Sequence, residues 1–490
     1  MCRIIKTNIN AKRTVEGRII EMTKNKVLAK NTIILTIGQF VPKLIAMVTL
    51  PIITKAFSTE EYGIYDLIIS FASLMLPLMT LLVQQAVFRF LINEKEEKHI
   101  KYITTSILFV FIFSLIILGI VVIGGSISQK NLELLILAMV LYFCESFYDL
   151  IGQIARGYGK NLIYSIAVIL YSVFNMILLL GAVFIKKVNI ESVLIILSIS
   201  YLGAAIFLAF RLKLHRMFKI KAFSVNALKE MLKYSIPIIP SSIALWIVSL
   251  SDRLIITYFL GASYNGIYAA ASKIPNLLVT FYNAFNLAWT ELAARSIEEK
   301  ESCKYYSKLI NTLCTFCFGV LIALIAISPL LFDLLIDSKF DSGRFQIPIL
   351  FLGVVSSCLV SFYGGLYVAL KKTKQVGVSS IVGAVLNALI NIIFIKKIGL
   401  YAASISTVIS FVVILIYRIV EMKKYIDIEY KKSNILCGSI FLLITIFNYY
   451  IGGTVTLILN ICLAIVYNIF FNELFVLVIG EAKKRIGGKK

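Results

Sequence analysis

Several residue types that soluble enzymes use freely are scarce in this chain of 490 residues. It has two histidines and two tryptophans, and charged residues make up only 15% of it. Both histidines, His99 and His215, lie in polar connectors between apolar segments. A soluble chain of this length needs more polar residues to cover its surface, so the composition excludes an ordinary soluble protein.

Motifs for nucleotide and metal chemistry are also missing. No GxxxxGK[ST] motif occurs, which excludes an ATP-driven pump within this sequence. The eight cysteines are scattered, mostly in apolar runs, and are not spaced as a disulfide framework. Cys314 and Cys317 form a CxxC pair on a predicted membrane helix, and we interpret them as packing residues. We predict no cofactor, no metal site, no catalytic residue and no enzymatic activity.

What the chain does have is long apolar runs, with 59% hydrophobic residues and a mean hydropathy of +0.91. Fourteen runs are long enough to cross about 30 Å of hydrocarbon at 1.5 Å per residue. The sequence therefore predicts an all-α polytopic membrane protein with about fourteen transmembrane helices. The predicted spans are 32–54, 64–92, 103–125, 131–155, 162–185, 190–210, 235–260, 265–294, 307–332, 347–370, 376–395, 400–420, 435–451 and 454–480.

The basic residues predict how these spans are oriented. With a cytoplasmic N-terminus, 38 of the 49 Lys and Arg residues fall inside, eight fall outside, and Lys43, Arg253 and Lys273 lie within spans. This bias follows the positive-inside rule and predicts that both termini are cytoplasmic. We interpret the net charge of +23 as a cytoplasmic rim facing anionic lipid, so no nucleic-acid partner is needed.

Three polar segments flank or join the predicted bundles. Residues 1–31 carry eight basic residues and no signal-peptide pattern, so we expect a cytoplasmic tail and leave open whether translation starts at Met1 or Met22. Residues 211–234 form the longest connector, a basic cytoplasmic segment predicted to contain an amphipathic surface helix. Residues 481–490 form a second basic tail.

An internal repeat divides the spans into two sets of six. Ile52-Ile53-Thr54 recurs as Ile255-Ile256-Thr257, and Gly63-Ile64-Tyr65 recurs as Gly266-Ile267-Tyr268, both at an offset of 203. Six is an even number, so the halves share their orientation and are expected to be related by an axis along the membrane normal. The predicted bundles are 32–210 and 235–421, and the last two helices, within 435–480, lie outside the repeat.

Two segments carry a resemblance to a known family: LPIITKAFSTEEYGIYDL at the end of the first span and SLSDRLIITYFLGASYNGIYAAASKI in the seventh. They resemble polysaccharide exporters of the multidrug/oligosaccharidyl-lipid/polysaccharide (MOP) flippase superfamily, especially O-antigen flippases of the Wzx type. The resemblance implies two six-helix bundles around a central cavity. It also implies a substrate, an undecaprenyl-diphosphate-linked oligosaccharide that moves from the inner to the outer leaflet by alternating access.

Charged side chains inside the spans are candidates for a substrate site. Each costs about 2.5–3.5 kcal/mol at mid-membrane, so we expect them to face water or the bundle interior. Lys43, Arg253 and Lys273 are predicted to line a cavity and bind the diphosphate, and Arg89 lies nearer the cytoplasmic end. The repeat places Trp246 opposite Lys43, where an aromatic ring would stack on a sugar or simply pack.

The acidic residues of the spans have two open interpretations: they bind a coupling proton or sodium ion, or they are structural partners of the cations. Arg253 would pair with Glu145 or Asp149, and Asp252 with Lys273. The five acids are Asp66, Glu145, Asp149, Asp252 and Glu291.

Three functions compete on this evidence. The first is the lipid-linked oligosaccharide flippase, in the cytoplasmic membrane of a bacterium or archaeon, with membrane lipids and the polymerase and glycosyltransferases of its pathway as further partners. The second is a cation-coupled multidrug antiporter of the same superfamily, which predicts an acidic cavity. A membrane glycosyltransferase or polymerase is less favoured because the predicted outside loops are short. The sugar, the energy source and the oligomeric state stay open.

Overall fold

The computed structural model describes residues 34–128, 131–186, 188–296, 302–370 and 372–472. Within these ranges every regular element is a helix, which confirms the predicted all-α fold. The N-terminal tail, with Met22, and the C-terminal tail lie outside the described residues.

Each of the fourteen predicted spans corresponds to a helix, although the boundaries shift by several residues. The helices are α1 Ile34–Ala56, α2 Thr59–Thr80, α3 Val83–Asn93, α4 Glu96–Ser128, α5 Leu132–Gly157, α6 Asn161–Phe184, α7 Ile190–Leu212, α8 Leu214–Met217, α9 Val225–Ser235, α10 Ile239–Leu260, α11 Ala262–Ser296, α12 Ser302–Leu335, α13 Ile347–Ala369, α14 Thr373–Ile398, α15 Leu400–Met422, α16 Lys432–Ile451 and α17 Thr454–Phe470. Short 3-10 segments lie at Ile220–Ala222, Ile236–Ile238 and Ser338–Gln346.

Eleven segments in the described ranges are long and apolar enough to cross a membrane. The other predicted spans correspond to α10, α11 and the shorter apolar α17. The chain is therefore a multi-pass membrane protein.

One predicted span is broken. The sequence predicted a single helix over 64–92, but Leu81 and Leu82 take left-handed backbone conformations and separate α2 from α3. Thr80 stabilises the break, because its hydroxyl donates to the carbonyl of Leu76 at 2.6 Å and accepts from the amide of Leu82 at 3.2 Å. Side chains that satisfy freed backbone groups are what make such interruptions tolerable in a membrane.

The helices form two compact units. Unit 1 contains residues 1–49 and 70–246, and unit 2 contains residues 50–69 and 247–490. The first half of α2 thus groups with the C-terminal helices, whereas the sequence placed all of it in the N-terminal bundle.

In unit 1, α5 packs against α3, α4 and α7, and α6 packs against α7. The predicted amphipathic connector helix is α9, which begins after Ser224 and lies against α3 and α4. It buries Ala227 and Met231 and exposes Lys229 and Lys233. Burial of one apolar face and exposure of a charged one is the pattern expected of a surface helix.

In unit 2, α11, α13, α14 and α15 pack side by side, and α16 and α17 pack against α12 and each other. An aromatic core packs α11, α12, α13 and α15 against the connector that follows α15. Trp289 stacks on Phe362 at 4.2 Å between ring centroids and donates from its indole nitrogen to the Phe362 carbonyl at 3.0 Å.

The two glycines that the repeat aligns touch each other in unit 2, where α2 crosses α11. A Cβ atom added to Gly63 would lie 1.9 Å from the carbonyl oxygen of Ala262, and one added to Gly266 would lie 1.9 Å from that of Thr59. Thr59 and Ala262 are themselves repeat equivalents at the offset of 203, so the contact has local twofold symmetry. Glycine at both positions lets the two backbones meet.

Hydrogen bonds hold this crossing together. The side chain of Asn265, fully buried, donates to the carbonyl of Gly63 at 3.0 Å, and the hydroxyls of Thr59 and Ser263 lie 2.6 Å apart. Backbone proximity and side-chain hydrogen bonds are the means by which helices associate in a medium as apolar as their own surfaces.

We expect Gly63→Ala or Gly266→Ala to destabilise the protein by at least the 1–3 kcal/mol typical of overpacking, because a methyl group would clash with a backbone carbonyl that cannot rotate away. The measurement is the melting temperature of purified protein in detergent. The matched control is Gly119→Ala in α4, where an added Cβ meets nothing within 4 Å. Equal melting temperatures for the Gly63 variant and the control would contradict the close crossing.

Candidate functional site

The helix crossing positions an ionic cluster in unit 2, formed by Asp66 on α2, Arg253 on α10 and Lys273 on α11. Asp66 follows Gly63 by about one helical turn, and Lys273 follows Gly266 by about two, so the crossing carries their side chains toward each other. The Nε atom of Arg253 lies 2.7 Å from one oxygen of Asp66, and Nζ of Lys273 lies 3.4 Å from the other. The carboxylate therefore pairs with two cations at once.

Burial differs sharply within this cluster. The side chain of Asp66 is 3% exposed and that of Arg253 is 19% exposed, whereas that of Lys273 is 42% exposed. One carboxylate against two cations leaves a net charge of +1. The excess positive charge therefore lies on groups that an approaching anion can reach, while the acid is enclosed.

These pairings correct the structural partners that the sequence suggested. Arg253 pairs with Asp66 rather than with Glu145 or Asp149, and Lys273 pairs with Asp66 rather than with Asp252. Sequence spacing could not reveal this, since Asp66 lies 187 and 207 positions away from its partners and meets them only through the glycine crossing.

A second site in unit 2 surrounds Asp252, next to Arg253 in the chain. One of its carboxylate oxygens accepts from the amide of Asn391 on α14 at 2.9 Å. The other lies 2.9 Å from the hydroxyl of Thr407 on α15, which in turn accepts from the amide of Asn387 at 3.0 Å. The hydrogen-bond partners of Asp252 are thus neutral groups, in contrast to the cations around Asp66.

The Asp252 site also holds unused oxygen ligands. The side-chain carbonyl oxygens of Asn387 and Asn391 are buried and have no hydrogen-bond partner in the described structure. In this arrangement the two amides direct their nitrogens at Asp252 and Thr407. Rotation of both amides would bring their oxygens together with the carboxylate and the Thr407 hydroxyl in an all-oxygen donor set, the kind that hard cations prefer. No group of three or more His, Cys, Asp or Glu residues that could hold a metal occurs in the described ranges.

In unit 1, Glu145 and Asp149 lie one turn apart on α5 beside a group of tyrosines. Tyr171 and Tyr201 stack with ring centroids 4.2 Å apart, and Tyr148 packs against both. Within the described ranges neither carboxylate forms an ion pair with a lysine or arginine. Unit 1 therefore presents acids with aromatic rings, whereas the ionic cluster of unit 2 is cationic.

A polar relay extends the unit 1 site along α5. The amide nitrogen of Gln153 lies 3.3 Å from an oxygen of Asp149, and the amide oxygen of Gln153 accepts from Arg156 at 3.1 Å. Arg156 also lies over the rings of Phe88 and Tyr164. An amide thus connects the acid to the nearest cation without a direct ion pair.

The remaining predicted residues are spread over the chain. Lys43 lies on α1 with an exposed side chain, and the guanidinium of exposed Arg89 lies 4.5 Å from the ring centroid of Tyr234. The side chains of Trp246 and Glu291 lie outside the described part of the structure.

Sequence reasoning missed Asn387, Asn391 and Thr407. The available signal was the stretch Asn387-Ala-Leu-Ile-Asn391, which puts two amides one turn apart in an otherwise apolar span. It also missed Arg418, a 3% exposed arginine on α15 that donates to the carbonyls of Val360 and Val376 and to two serine hydroxyls, and so ties α13, α14 and α15 together.

Comparison with solved structures defines the class of fold. A structure of the lipid II flippase MurJ, in an inward closed conformation, matches with a TM-score of 0.69 and 14% identity over 91% of this chain and 99% of that one. An inward-facing MATE multidrug resistance transporter of the MOP superfamily matches with a TM-score of 0.60 and 15% identity, over 80% of this chain and 94% of that one. A MOP superfamily transporter from Pyrococcus furiosus matches with a TM-score of 0.54 and 15% identity, over 81% of this chain and 96% of that one. The chain shares the fold of these three transporters.

Sequence comparison defines the family. Residues 28–290, more than half of the chain, match the model of the polysaccharide biosynthesis protein family. The chain belongs to this family, and the resemblance to MOP-superfamily polysaccharide exporters drawn from its motifs is confirmed. An uncharacterized membrane protein of Methanocaldococcus jannaschii is 22% identical over 463 residues, which is 85% of this chain and 88% of that relative.

We expect Asp66→Asn to lower the melting temperature of the protein strongly. It leaves Arg253 without an anion, and breaking a buried pair by removing one partner costs about 3–5 kcal/mol. Lys273→Met should have a much smaller effect because that lysine is 42% exposed and the Asp66–Arg253 pair survives. Exposed Glu133, replaced by Gln, is the control. A Lys273→Met variant less stable than Asp66→Asn would show that the cluster is organised differently.

Proposed function

We propose that this protein is a flippase that moves an undecaprenyl-diphosphate-linked oligosaccharide from the inner to the outer leaflet by alternating access. It would act in the cytoplasmic membrane of a bacterium or archaeon with both termini cytoplasmic, and supply an O-antigen, capsule or other surface polysaccharide pathway. The observation that carries the proposal is the excess positive charge of the Asp66–Arg253–Lys273 cluster within a polysaccharide biosynthesis family chain.

The proposed chemistry is replacement of water around the diphosphate. Asp66 forms an ion pair with Arg253 at its Nε atom, and the two terminal nitrogens of the guanidinium would form a fork toward phosphate oxygens. Lys273 adds a point charge on a half-exposed side chain. Lys43 and Arg89 would contact the head group at other stages of its passage, and Trp246 would stack on a sugar ring.

In this proposal Asp66 lowers the net positive charge of the cluster. Two uncompensated cations in hydrocarbon would be costly, and they would also hold a diphosphate too tightly to release it. A carboxylate shared by both reduces the local charge to +1 and keeps the two side chains close to one place. Binding that is favourable but reversible is what transport requires.

A coupling ion would bind at Asp252. The all-oxygen donor set of Asp252, Asn387, Asn391 and Thr407 suits a monovalent cation such as sodium, since it offers a single negative charge. Arg253 follows Asp252 directly in the chain. A cation bound at Asp252 and a diphosphate bound at Arg253 would therefore both contact the same turn of α10. Asp252 is the residue we assign to coupling, and Glu145 and Asp149 are the alternative.

The second candidate function is a cation-coupled multidrug antiporter. It is favoured by the acids and tyrosines of unit 1, because carboxylates beside aromatic rings bind organic cations. Export of glycans from proteoliposomes and efflux of organic cations from cells therefore have to be measured on the same variants.

We expect Lys273→Gln to slow translocation of an undecaprenyl-diphosphate oligosaccharide in proteoliposomes by about tenfold or more, since a charged hydrogen bond contributes about 1.5–3 kcal/mol. Arg253→Lys should retain part of the activity because a point charge still attracts phosphate. The assay measures the labelled glycan that becomes accessible on the opposite leaflet. Lys55→Gln, at an exposed lysine in the last turn of α1, is the control.

Two results would contradict the flippase. One is normal translocation by stable Lys273→Gln and Arg253→Ala variants, which would remove the diphosphate role of the cluster. The other is an absence of glycan translocation by the wild type together with organic-cation efflux that Glu145→Gln and Asp149→Asn abolish. That second result would establish the antiporter.

We expect sodium, compared with potassium or choline at equal ionic strength, to raise the melting temperature of the wild type, because a ligand stabilises the state that binds it. Asp252→Asn should abolish this rise and the sodium dependence of transport. Glu145→Gln is the matched control in unit 1 and should keep both. If Glu145→Gln loses the sodium effect and Asp252→Asn keeps it, the coupling site lies in unit 1 instead.

A further inference from the structure

The connector between α15 and α16 lies extended along one end of unit 2, and its side chains alternate. Ile426 and Ile428 are each 5% exposed and belong to the aromatic core, while Asp427 and Glu429 point the other way and are exposed. Alternation of buried and exposed side chains is typical of an extended chain that packs one face against a core.

Hydrogen bonds from α12 fix the connector. The backbone amide of Glu429 donates to the hydroxyl of Ser307 at 3.0 Å. The side chain of Asn311 donates to the carbonyl of Glu429 at 2.7 Å and accepts from the amide of Lys431 at 2.8 Å. The charged side chains are thus displayed by a backbone that is held in place.

A cavity of about 680 Å³ lies between this connector and the first turns of α12 and α16. Its size falls in the range of small-molecule sites, about 300–1,000 Å³. Every described residue that lines it has a polar side chain: Ser307, Lys308, Asn311, Thr312, Thr315, Asp427, Glu429, Tyr430, Lys431 and Asn434. An all-polar lining is unusual where helices enter a membrane, since lipid-facing positions there are apolar.

The cavity lies at the level of lipid head groups. α15 ends at Met422 and α16 begins at Lys432, so the mouth opens where spans leave the hydrocarbon. From Ser307 to buried Thr315 the lining runs eight residues along α12, or about 12 Å at 1.5 Å per residue. That depth spans the polar head-group region of one leaflet, about 5–7.5 Å thick, and reaches the first part of the acyl chains.

The cavity is lined by equal numbers of positive and negative side chains. Lys308 and Lys431 carry two positive charges, and Asp427 and Glu429 carry two negative ones. Lys308, Asp427 and Glu429 form no ion pair with any residue in the described ranges. A ligand that satisfies such a site needs an anionic group for the lysines and a hydrogen-bonding cationic group for the carboxylates.

We propose that this cavity binds the phosphoethanolamine head group of a membrane phospholipid. The phosphate would lie against Lys308 and Lys431, and the primary ammonium would donate to Asp427 and Glu429. Phosphatidylcholine fits less well because its quaternary ammonium has no N–H to donate. Phosphatidylglycerol fits less well because its head group has no cation. The proposal is independent of what the protein transports, and its failure would leave the flippase assignment untouched.

The test measures lipid binding to the purified full-length protein by native mass spectrometry, with phosphatidylethanolamine, phosphatidylcholine and phosphatidylglycerol of identical acyl chains. We expect the wild type to bind phosphatidylethanolamine at least fivefold more tightly than either competitor. The double variant Asp427→Asn with Glu429→Gln should lose the preference over phosphatidylcholine. Lys308→Gln should weaken binding of all three lipids. Lys424→Gln and Glu133→Gln, exposed charges outside the lining, are the matched controls.

Equal binding of the three lipids by the wild type would overturn the proposal, as would an unchanged preference in the double variant. Soluble phosphoethanolamine that binds as tightly as the lipid would assign the cavity to a free solute and overturn the lipid assignment. Melting temperatures of all variants show whether a loss of binding reflects a loss of fold.

Discussion

Two backbones that touch at Gly63 and Gly266 determine where the ionic cluster of unit 2 forms. Neither α2 nor α11 could approach so closely with a side chain at the crossing, since an added Cβ would lie 1.9 Å from a carbonyl oxygen. Because the helices meet there, Asp66 comes within ion-pair distance of Arg253 and Lys273. The close contact between two glycines thus fixes the positions of three charged side chains in the membrane.

The charges and amides of unit 2 form two neighbouring sites with opposite character. Asp66 is surrounded by cations, whereas Asp252 is surrounded by amides and a hydroxyl. Arg253, which pairs with Asp66, directly follows Asp252 in the chain. The same α10 helix therefore supplies the anion-attracting group and the cation-attracting group. This arrangement supports a transporter whose two ligands are sensed on consecutive residues.

Hydropathy and the positive-inside count predicted the helices because the energetics of crossing hydrocarbon act on every residue of a span. They did not predict the break at Leu81 and Leu82, because leucine favours a helix and the break depends on the hydroxyl of Thr80. The sequence identified Asp66, Asp252 and Arg253 as unusual. It could not pair them, since partners some 200 positions apart are brought together only by the tertiary crossing, and uncharged Asn391 gave a weaker signal than any charge.

The symmetry of the glycine crossing bears on how such a chain diversifies. Gly63 faces Ala262 and Gly266 faces Thr59, and these two partners are repeat equivalents. Identical copies that meet at a self-complementary interface have this geometry. Joined in one polypeptide, the halves keep that interface without needing to stay identical. The positions equivalent to Asp66, Arg253 and Lys273 are Ala269, Leu50 and Ser70, so no charge is duplicated. In this single polypeptide the two halves are symmetric at the glycine contact between their backbones, but they differ in their charged side chains.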